Sequence, residues 1–262
     1  MTDFAERYDA VMVPVIFRPW AQELLRRVPP QDGQAILDVA CGTGAVTRTI
    51  AETGVRPASL TGADMSAGML AVASRKAAQA GIDARWVEAD AAALPFPDHS
   101  FDVAYCQQAL QFFPDRVAAL TELRRVLKPG ASVAFCVSTA LHENPLLTAQ
   151  ADALQMHVGD AAAQAVRNIC HLSDAGEVRD AFTVAGFHDI SIDKVSLKLS
   201  HPDGRAYAEG ALGGMHTGDK LARLSEDGRQ RCFESFLSGL GPLFDGKAIR
   251  FPHVSHVITA HA

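Results

Sequence analysis

The chain has 262 residues, of which 48% are hydrophobic and 21% charged, the balance of an ordinary soluble globular protein. Disorder, collagen-like repeats and coiled coil are excluded, and a chain of this length usually makes one large domain or one with a modest insertion. The formal net charge is −6 and Lys and Arg form no run, so gripping phosphate backbones is disfavoured and nucleic acid is not an expected partner.

Residues 3–27 carry apolar side chains at roughly helical spacing, broken at Pro14 and Pro19. They predict two short helices ending at Val28-Pro29-Pro30, because a residue before proline disfavours the α region. The most apolar piece, 11–17, is interrupted by Pro14 and flanked by Asp9 and Arg18. It is too short for a signal-peptide core or a membrane span, so a cytoplasmic location and no membrane span are expected.

Elements then alternate. Ala35–Val39 predicts a short strand and Ala45–Glu52 a helix closed by Gly54. Strands follow at 59–63, 84–87 and 101–106, with a helix over 67–80 ended by Gly81. Over 115–127, Val117, Leu120, Leu123 and Leu127 share one helix face while Arg116, Glu122 and Arg125 take the other. Lys128-Pro129-Gly130 stops that helix and 131–137 is an apolar fifth strand. Strands alternating with helices imply a parallel sheet covered on both faces.

After Ser138 the pattern changes. Residues 141–168 read as helical without a following apolar strand, and 173–185 as an amphipathic helix ended by Gly186. Residues 190–199 alternate apolar and polar, slipping by one near Asp193, as suits a strand with one solvated face. A Gly-rich helical stretch from 207 to about 240 precedes a last alternating strand at 248–260. The five cysteines (41, 106, 136, 170 and 232) are odd in number, widely spaced and without CxxC, so neither a disulfide framework nor a metal site is expected.

The strongest local signal is Leu37-Asp38-Val39-Ala40-Cys41-Gly42-Thr43-Gly44, between a predicted strand and a helix. Small residues there allow a tight turn and bring backbone N–H groups close to a ligand at the positive end of the helix, although a plain glycine βα turn reads the same way. Asp64 ends the second strand, where an α/β nucleotide fold places a carboxylate to accept both ribose hydroxyls. Glu88-Ala89-Asp90-Ala91 ends the third strand and Cys106-Gln107-Gln108 the fourth. Singly, Asp64 and Asp90 also fit as helix caps. Polar residues at the carboxyl ends of successive parallel strands converge on one crevice.

With these segments the chain resembles the class I S-adenosylmethionine-dependent methyltransferases, within the broad group that includes the ubiquinone/menaquinone-biosynthesis C-methyltransferases. The resemblance covers 35–137. Asp38 to Gly44 is similar to the glycine-rich first motif, with Ala40 where many members have Gly. Gly62-Ala63-Asp64-Met65-Ser66-Ala67-Gly68-Met69-Leu70 is similar to "GxDxSxxML", 89–96 to "GDAxxLPF" and Ser100-Phe101-Asp102 to "SFD". Phe113-Pro114-Asp115 and Arg124-Arg125-Val126-Leu127-Lys128-Pro129-Gly130 complete the pattern. Ala45 does not supply the third glycine of a dinucleotide fingerprint, which counts against a nicotinamide cofactor.

The resemblance implies a Rossmann-like doubly wound α/β fold: a mostly parallel seven-stranded sheet with an antiparallel last strand, plus a helical cap. It implies one methyltransferase domain over 1–262, with an N-terminal helical cap (1–30), a cofactor-binding core (31–140) and cap or substrate insertions (141–172 and 204–245). The implied cofactor is S-adenosyl-L-methionine, with S-adenosyl-L-homocysteine as product. Asp38, Ala40, Gly42 and Gly44 would surround its methionine moiety and Asp64 would bind the ribose diol. Met65 and Met69 would flank the adenosine, a place where Met serves equally as core. Asp90 would accept the adenine amino group, Ala91 would donate a backbone N–H to the ring, and Gln107 would face the sulfonium end. Tyr8 and Trp20 would close over cofactor or acceptor, Trp20 fitting also as a hydrophobic staple.

The implied reaction is in-line attack of a small organic or lipid-like acceptor on an already activated methyl carbon, so alignment and water exclusion supply much of the acceleration. Where the acceptor must lose a proton, candidate bases are His142, His157, His171 and His216, of which His142, just beyond the fifth strand, is named. Two competing readings stand beside this one: a class I fold that binds the cofactor without methyl transfer, as a cyclase or regulator, and a nicotinamide-dependent oxidoreductase. The acceptor atom stays open, as does the choice between monomer and homodimer.

Overall fold

Seven strands build one sheet in the order β3-β2-β1-β4-β5-β7-β6, in a computed structural model that describes residues 4–213 and 218–262. They are β1 (Ala35–Val39), β2 (Ser59–Asp64), β3 (Arg85–Glu88), β4 (Phe101–Gln107), β5 (Leu127–Ser138), β6 (His188–His201) and β7 (Ile249–His261). β1 to β5 pair in parallel, and β7 runs antiparallel to both of its neighbours. The expected mostly parallel sheet with an antiparallel last strand is therefore present. The strand order reverses between β1 and β4, and at such a switch point the loops leaving the two strands part and open a crevice.

The chain divides into two compact units. The first, called the core unit here, comprises Phe17–Val137, Asp174–Val195 and His256–Ala262. The second, the accessory unit, comprises Met1–Ile16, Ser138–Ser173 and Ser196–Ser255.

In the core unit, β1 is buried from Ile36 onward on both faces, as a central parallel strand requires. Its helices include α2 (Arg18–Arg27), α3 (Ala45–Glu52), α4 (Ala67–Gln79), α5 (Arg116–Val126) and α8 (Ala175–Val184). Three start on side-chain caps: Ser66 accepts from Met69 N (3.3 Å), Asp115 from Ala118 N (2.9 Å) and Asp174 from Glu177 N (2.9 Å). β5 begins four residues earlier than predicted. A register shift between Phe101↔Leu127 and Val103↔Ser132 absorbs Lys128-Pro129-Gly130 as an irregularity inside the strand, where a helix stop was expected. β6 shows the anticipated slip, since Asp193 and Lys194 are both exposed before the alternation resumes at Val195.

The N-terminal segment differs from expectation. After α1 (Phe4–Arg7) the backbone stays helical, with a wide π-type stretch over Tyr8–Phe17 that carries Pro14 inside it. Pro19 is the second residue of α2, which continues the helical backbone of the π-type stretch without a break. In the accessory unit, α6 (Pro145–His157) packs against α7 (Asp160–Arg167) and α11 (Glu226–Gly239). The Gly-rich stretch predicted from 207 to 240 divides into α9 (Gly204–Gly213), α10 (Gly218–Leu221) and α11. Asn144 ties this unit together: its Oδ1 accepts from Val254 N (2.8 Å) and its Nδ2 donates to Val254 O (3.2 Å). Among the described residues no helix is long and apolar enough to cross a membrane.

Candidate functional site

The loops leaving β1, β2, β3 and β4 at their carboxyl ends carry most of the residues singled out from the sequence, all within the core unit. The β1 loop is held in a left-handed course, with φ of 53° at Ala40, 55° at Gly42 and 80° at Gly44, which is the N-cap of α3. Ala40 is strained there, since an L side chain disfavours this region by roughly 1–2 kcal/mol. A tight turn closes as Gly44 N donates to Cys41 O (2.8 Å), and Cys41 N donates to Ala63 O (3.1 Å) on the next strand. A Cβ at Gly42 would meet nothing within 4 Å, so this face of the loop is open to a ligand.

Gly44 is closed in for a different reason. A Cβ there would lie 2.7 Å from Trp86 Cη2, and one at Gly62 would lie 2.5 Å from Trp86 Cζ3 and 2.9 Å from Cys41 Sγ. Trp86, paired with Gly62 across β2 and β3, thus fixes the loop from behind. Sequence reasoning missed it. A glycine and a large aromatic facing each other on neighbouring strands is its signature, visible only once the register is known.

Asp38 is 1% exposed and its Oδ2 accepts from Thr47 N (3.1 Å) and Thr47 Oγ1 (2.8 Å), holding the first turn of α3 to the end of β1. Burial pushes its carboxyl up to about 7, against the lowering effect of Thr47. It thereby ties the end of β1 to α3, across the two ends of the glycine loop.

Asp64 accepts from Gly42 N through Oδ2 and from Ser66 N through Oδ1, both at 2.8 Å. Met65 beside it is 76% exposed, far more than a core methionine, and Met69 is half-buried. Asp90 is exposed, with Oδ1 taken by Ala92 N (2.9 Å), and the Ala91 N–H has no partner among the described residues. Gln107 is 9% exposed at the end of β4 and its Nε2 donates to Phe17 O (2.6 Å).

Three sequence candidates lie elsewhere. Trp20 is fully buried and leaves no surface for a ligand, so it is core packing of α2. Tyr8, at the start of the π-type stretch with its ring 6.2 Å from Phe4, belongs to the accessory unit. So does His142, which is exposed on the 3-10 turn Leu141–Glu143, with no partner orienting its ring among the described residues. Of the other histidines, His157 pairs with Ser235 Oγ (2.7 Å), His171 is exposed, and His216 lies outside the described residues. Among the described residues no three His, Cys, Asp or Glu side chains gather as a metal site.

The loop after β3 is fastened from α5. Arg125 donates to Leu94 O (3.0 Å), Phe96 O (2.9 Å) and Asp98 (2.6 Å), while Glu122 Oε1 accepts from Leu94 N (2.8 Å) and both Glu122 oxygens accept from Arg125 (2.8 Å). The Arg125 guanidinium holds the Glu122 carboxyl below the usual carboxylate range. These two residues, read from periodicity as a polar outer face, link the 89–96 and 124–130 segments physically.

Residues 37–135 match the methyltransferase domain family. The demethylmenaquinone methyltransferase of Lactiplantibacillus plantarum is 36% identical over 132 residues, which is 50% of this chain and 55% of the relative. The malonyl-[acyl-carrier protein] O-methyltransferase of Halorhodospira halophila is 35% identical over 205 residues, 77% of this chain and 64% of that one. The chain thus spans about half to two thirds of the length of these curated relatives. Among solved structures, phosphoethanolamine N-methyltransferase 2 of Haemonchus contortus, in complex with S-adenosylhomocysteine, matches with a TM-score of 0.59 at 20% identity, over 100% of this chain and 60% of that one.

Proposed function

We propose that this chain, whose residues 37–135 are a class I S-adenosylmethionine-dependent methyltransferase domain, transfers a methyl group from S-adenosyl-L-methionine to a small organic or lipid-like acceptor by in-line displacement, leaving S-adenosyl-L-homocysteine. The observation that carries the reading is the gathering of an open left-handed glycine loop, the Asp64 carboxylate, and the exposed Asp90 carboxylate beside an Ala91 N–H unpaired among the described residues, at the ends of three neighbouring parallel strands, β1, β2 and β3.

The residues present fit that cofactor. Asp64 keeps lone pairs for a ribose diol beyond its two loop bonds, exposed Met65 and half-buried Met69 offer apolar walls, and Asp90 with the Ala91 N–H offers an acceptor and a donor for an adenine edge. Gly42 leaves room for backbone to approach the methionine part, which Ala40 and Gly44 flank in this reading, and Gln107 borders the sulfonium end. When bound, the cofactor supplies a methyl group already activated by its sulfonium charge. The chain then has to align the acceptor and exclude water. For an acceptor that must shed a proton, His142 is the base in this reading, and its exposure lets that proton pass to solvent.

The two curated relatives are named for demethylmenaquinone and for malonyl-[acyl-carrier protein]. The first name fits the small organic or lipid-like acceptor of this reading, whereas the second relative is named for a malonyl group on a carrier protein; the reading assigns acceptor recognition to 141–172 and 204–245 and closure to Tyr8. It places the protein in the cytoplasm as a monomer or homodimer without nucleic acid. Calorimetric titration with S-adenosylmethionine, S-adenosylhomocysteine and NAD tests the core of it. Micromolar binding of the first two alone is expected; binding of NAD alone, or of none, would overturn it.

A further inference from the structure

Residues three, four and seven apart on a helix share one side. In the accessory unit this spacing puts Asp152 and Met156 on one face of α6, and Arg231, Glu234 and Ser238 on one face of α11. Between the two helices small residues take the place of bulk. Ala149 and Ala153 are buried, and a Cβ at Gly239 would lie 3.3 Å from Ala149 Cβ. The helices approach closely there and leave a hollow of about 540 Å³. A second hollow of about 500 Å³, bordered by Arg205, Phe244 and Lys247, adjoins it along Glu234 and Ser238, which line both.

Met156 stands at the rim of the first hollow, 73% exposed. Its Sδ lies 4.0 Å from Ser235 Oγ, which His157 Nε2 meets at 2.7 Å, so the end of α6 is fastened to α11 and the apolar knob is held beside the hollow. The charges along the two hollows are Asp152, Arg231, Glu234 and Lys247, all exposed. None of these four side chains has a hydrogen-bond or ion-pair partner among the described residues. They are two acids and two bases, a balanced set on a chain whose net charge is −6.

We propose that this face of α6 and α11 pairs with the same face of a second copy of the chain about a two-fold axis. Each Met156 enters the hollow of the other copy, and each Arg231 meets an acid, Asp152 or Glu234, across the axis. A two-fold contact requires a patch that complements itself, with every group facing its match on an identical surface. A knob beside a hollow and unpaired charges of both signs in equal number meet that requirement. A ligand or partner of one charge would instead be matched by an excess of the opposite sign. Methionine suits the knob, since its unbranched thioether adapts to an irregular hollow. The proposal selects the homodimer and is independent of the methyltransferase reading, because every residue it uses lies in the accessory unit.

Sedimentation equilibrium of the intact chain at micromolar concentrations tests it, with three variants: Met156→Glu, Arg231→Glu, and the double variant Asp152→Arg with Glu234→Arg. The unsubstituted protein is expected as a dimer. Each variant should dimerise at least about tenfold more weakly, Met156→Glu by putting a charge into the hollow and the other two by facing like charges across the axis. An equimolar mixture of Arg231→Glu with the double variant should recover the dimer, since every facing pair is then of opposite sign. That recovery also shows that both variants are folded. A monomer at every concentration overturns the proposal and leaves the face to a different partner. A dimer that survives all three substitutions joins through another surface, which overturns it equally. So do monomeric variants that fail to recombine.

Discussion

Both carboxylate oxygens of Asp64 accept a backbone N–H, from Gly42 and from Ser66, so this side chain shapes the loops after β1 and β2 as well as offering lone pairs to a diol. Asp64→Ala removes both contributions. Its affinity for S-adenosylhomocysteine is expected to fall about ten- to a hundredfold, as for hydrogen bonds to a charged group, and its stability by about 1–2 kcal/mol from the two freed N–H groups. Asp64→Asn keeps an acceptor for one of them and falls between. Calorimetry with parallel urea unfolding separates the two effects, and unchanged affinity in a folded Asp64→Ala protein would sink the assignment. Asp64, Gly42 and Gly44 were legible because their chemistry is local: a carboxylate at a strand end, and glycines where φ must be positive. Trp86 was not, because it acts through a cross-strand neighbour that only the register reveals. Trp20 misled because a tryptophan near a cap reads alike whether it faces a ligand or the core.

Helix α5 does more than cover the sheet. One guanidinium spans Leu94 O and Phe96 O while its carboxylate partner Glu122 holds Leu94 N, so the loop that begins at Asp90 and Ala91 inherits its position from Arg125. Lysine at 125 keeps the charge but, as a single ammonium point, cannot bridge the two carbonyls and Glu122 together. Arg125→Lys is therefore expected to lower stability by about 1–2 kcal/mol and to speed amide exchange across 89–98. S-Adenosylhomocysteine affinity should weaken several-fold. Unchanged protection of 89–98 would refute the clamp. Element positions themselves were largely readable: Ala35–Val39 and Ala45–Glu52 coincide with β1 and α3 because apolar runs and glycine stops mark them. The early start of β5 was hidden by Lys128-Pro129-Gly130, a helix-ending signature that the sheet accommodates through a register shift. Pro14 was read as a break, yet the wider π-type turn carries it.

Composition fixed the broad class of the molecule, but the separate electrostatic behaviour of its two units needs coordinates, because burial of one acid and one base decides it. Asp38, in the core unit, has its carboxyl raised by burial from the ordinary 3.8 to about 7. Its folded form holds a proton that the unfolded chain releases, so its contribution to stability is full below the ordinary value and is lost as pH rises through 7. His253, in β7 within the accessory unit and 4% exposed, is held by burial at about 4 against an ordinary 6.5. The unfolded chain takes up its proton first, so stability is full above 6.5 and is lost as pH falls toward 4. Among the described groups with a displaced pKa, only these two titrate between pH 5.5 and 7.5 in one state and not in the other: Asp38 in the folded protein and His253 in the unfolded chain. Lowering the pH across that window should therefore strengthen amide protection of β1, residues 35–39, and weaken that of 249–255, each by about 1–2 kcal/mol after correction for intrinsic exchange. Asp38→Asn cancels the first shift and leaves the second, since the amide does not titrate. Hydrogen exchange read by mass spectrometry at pH 5.5 and 7.5 decides the matter. Protection that moves in the same direction in both segments would mean that one opening event governs them and that the opposing titrations do not act separately.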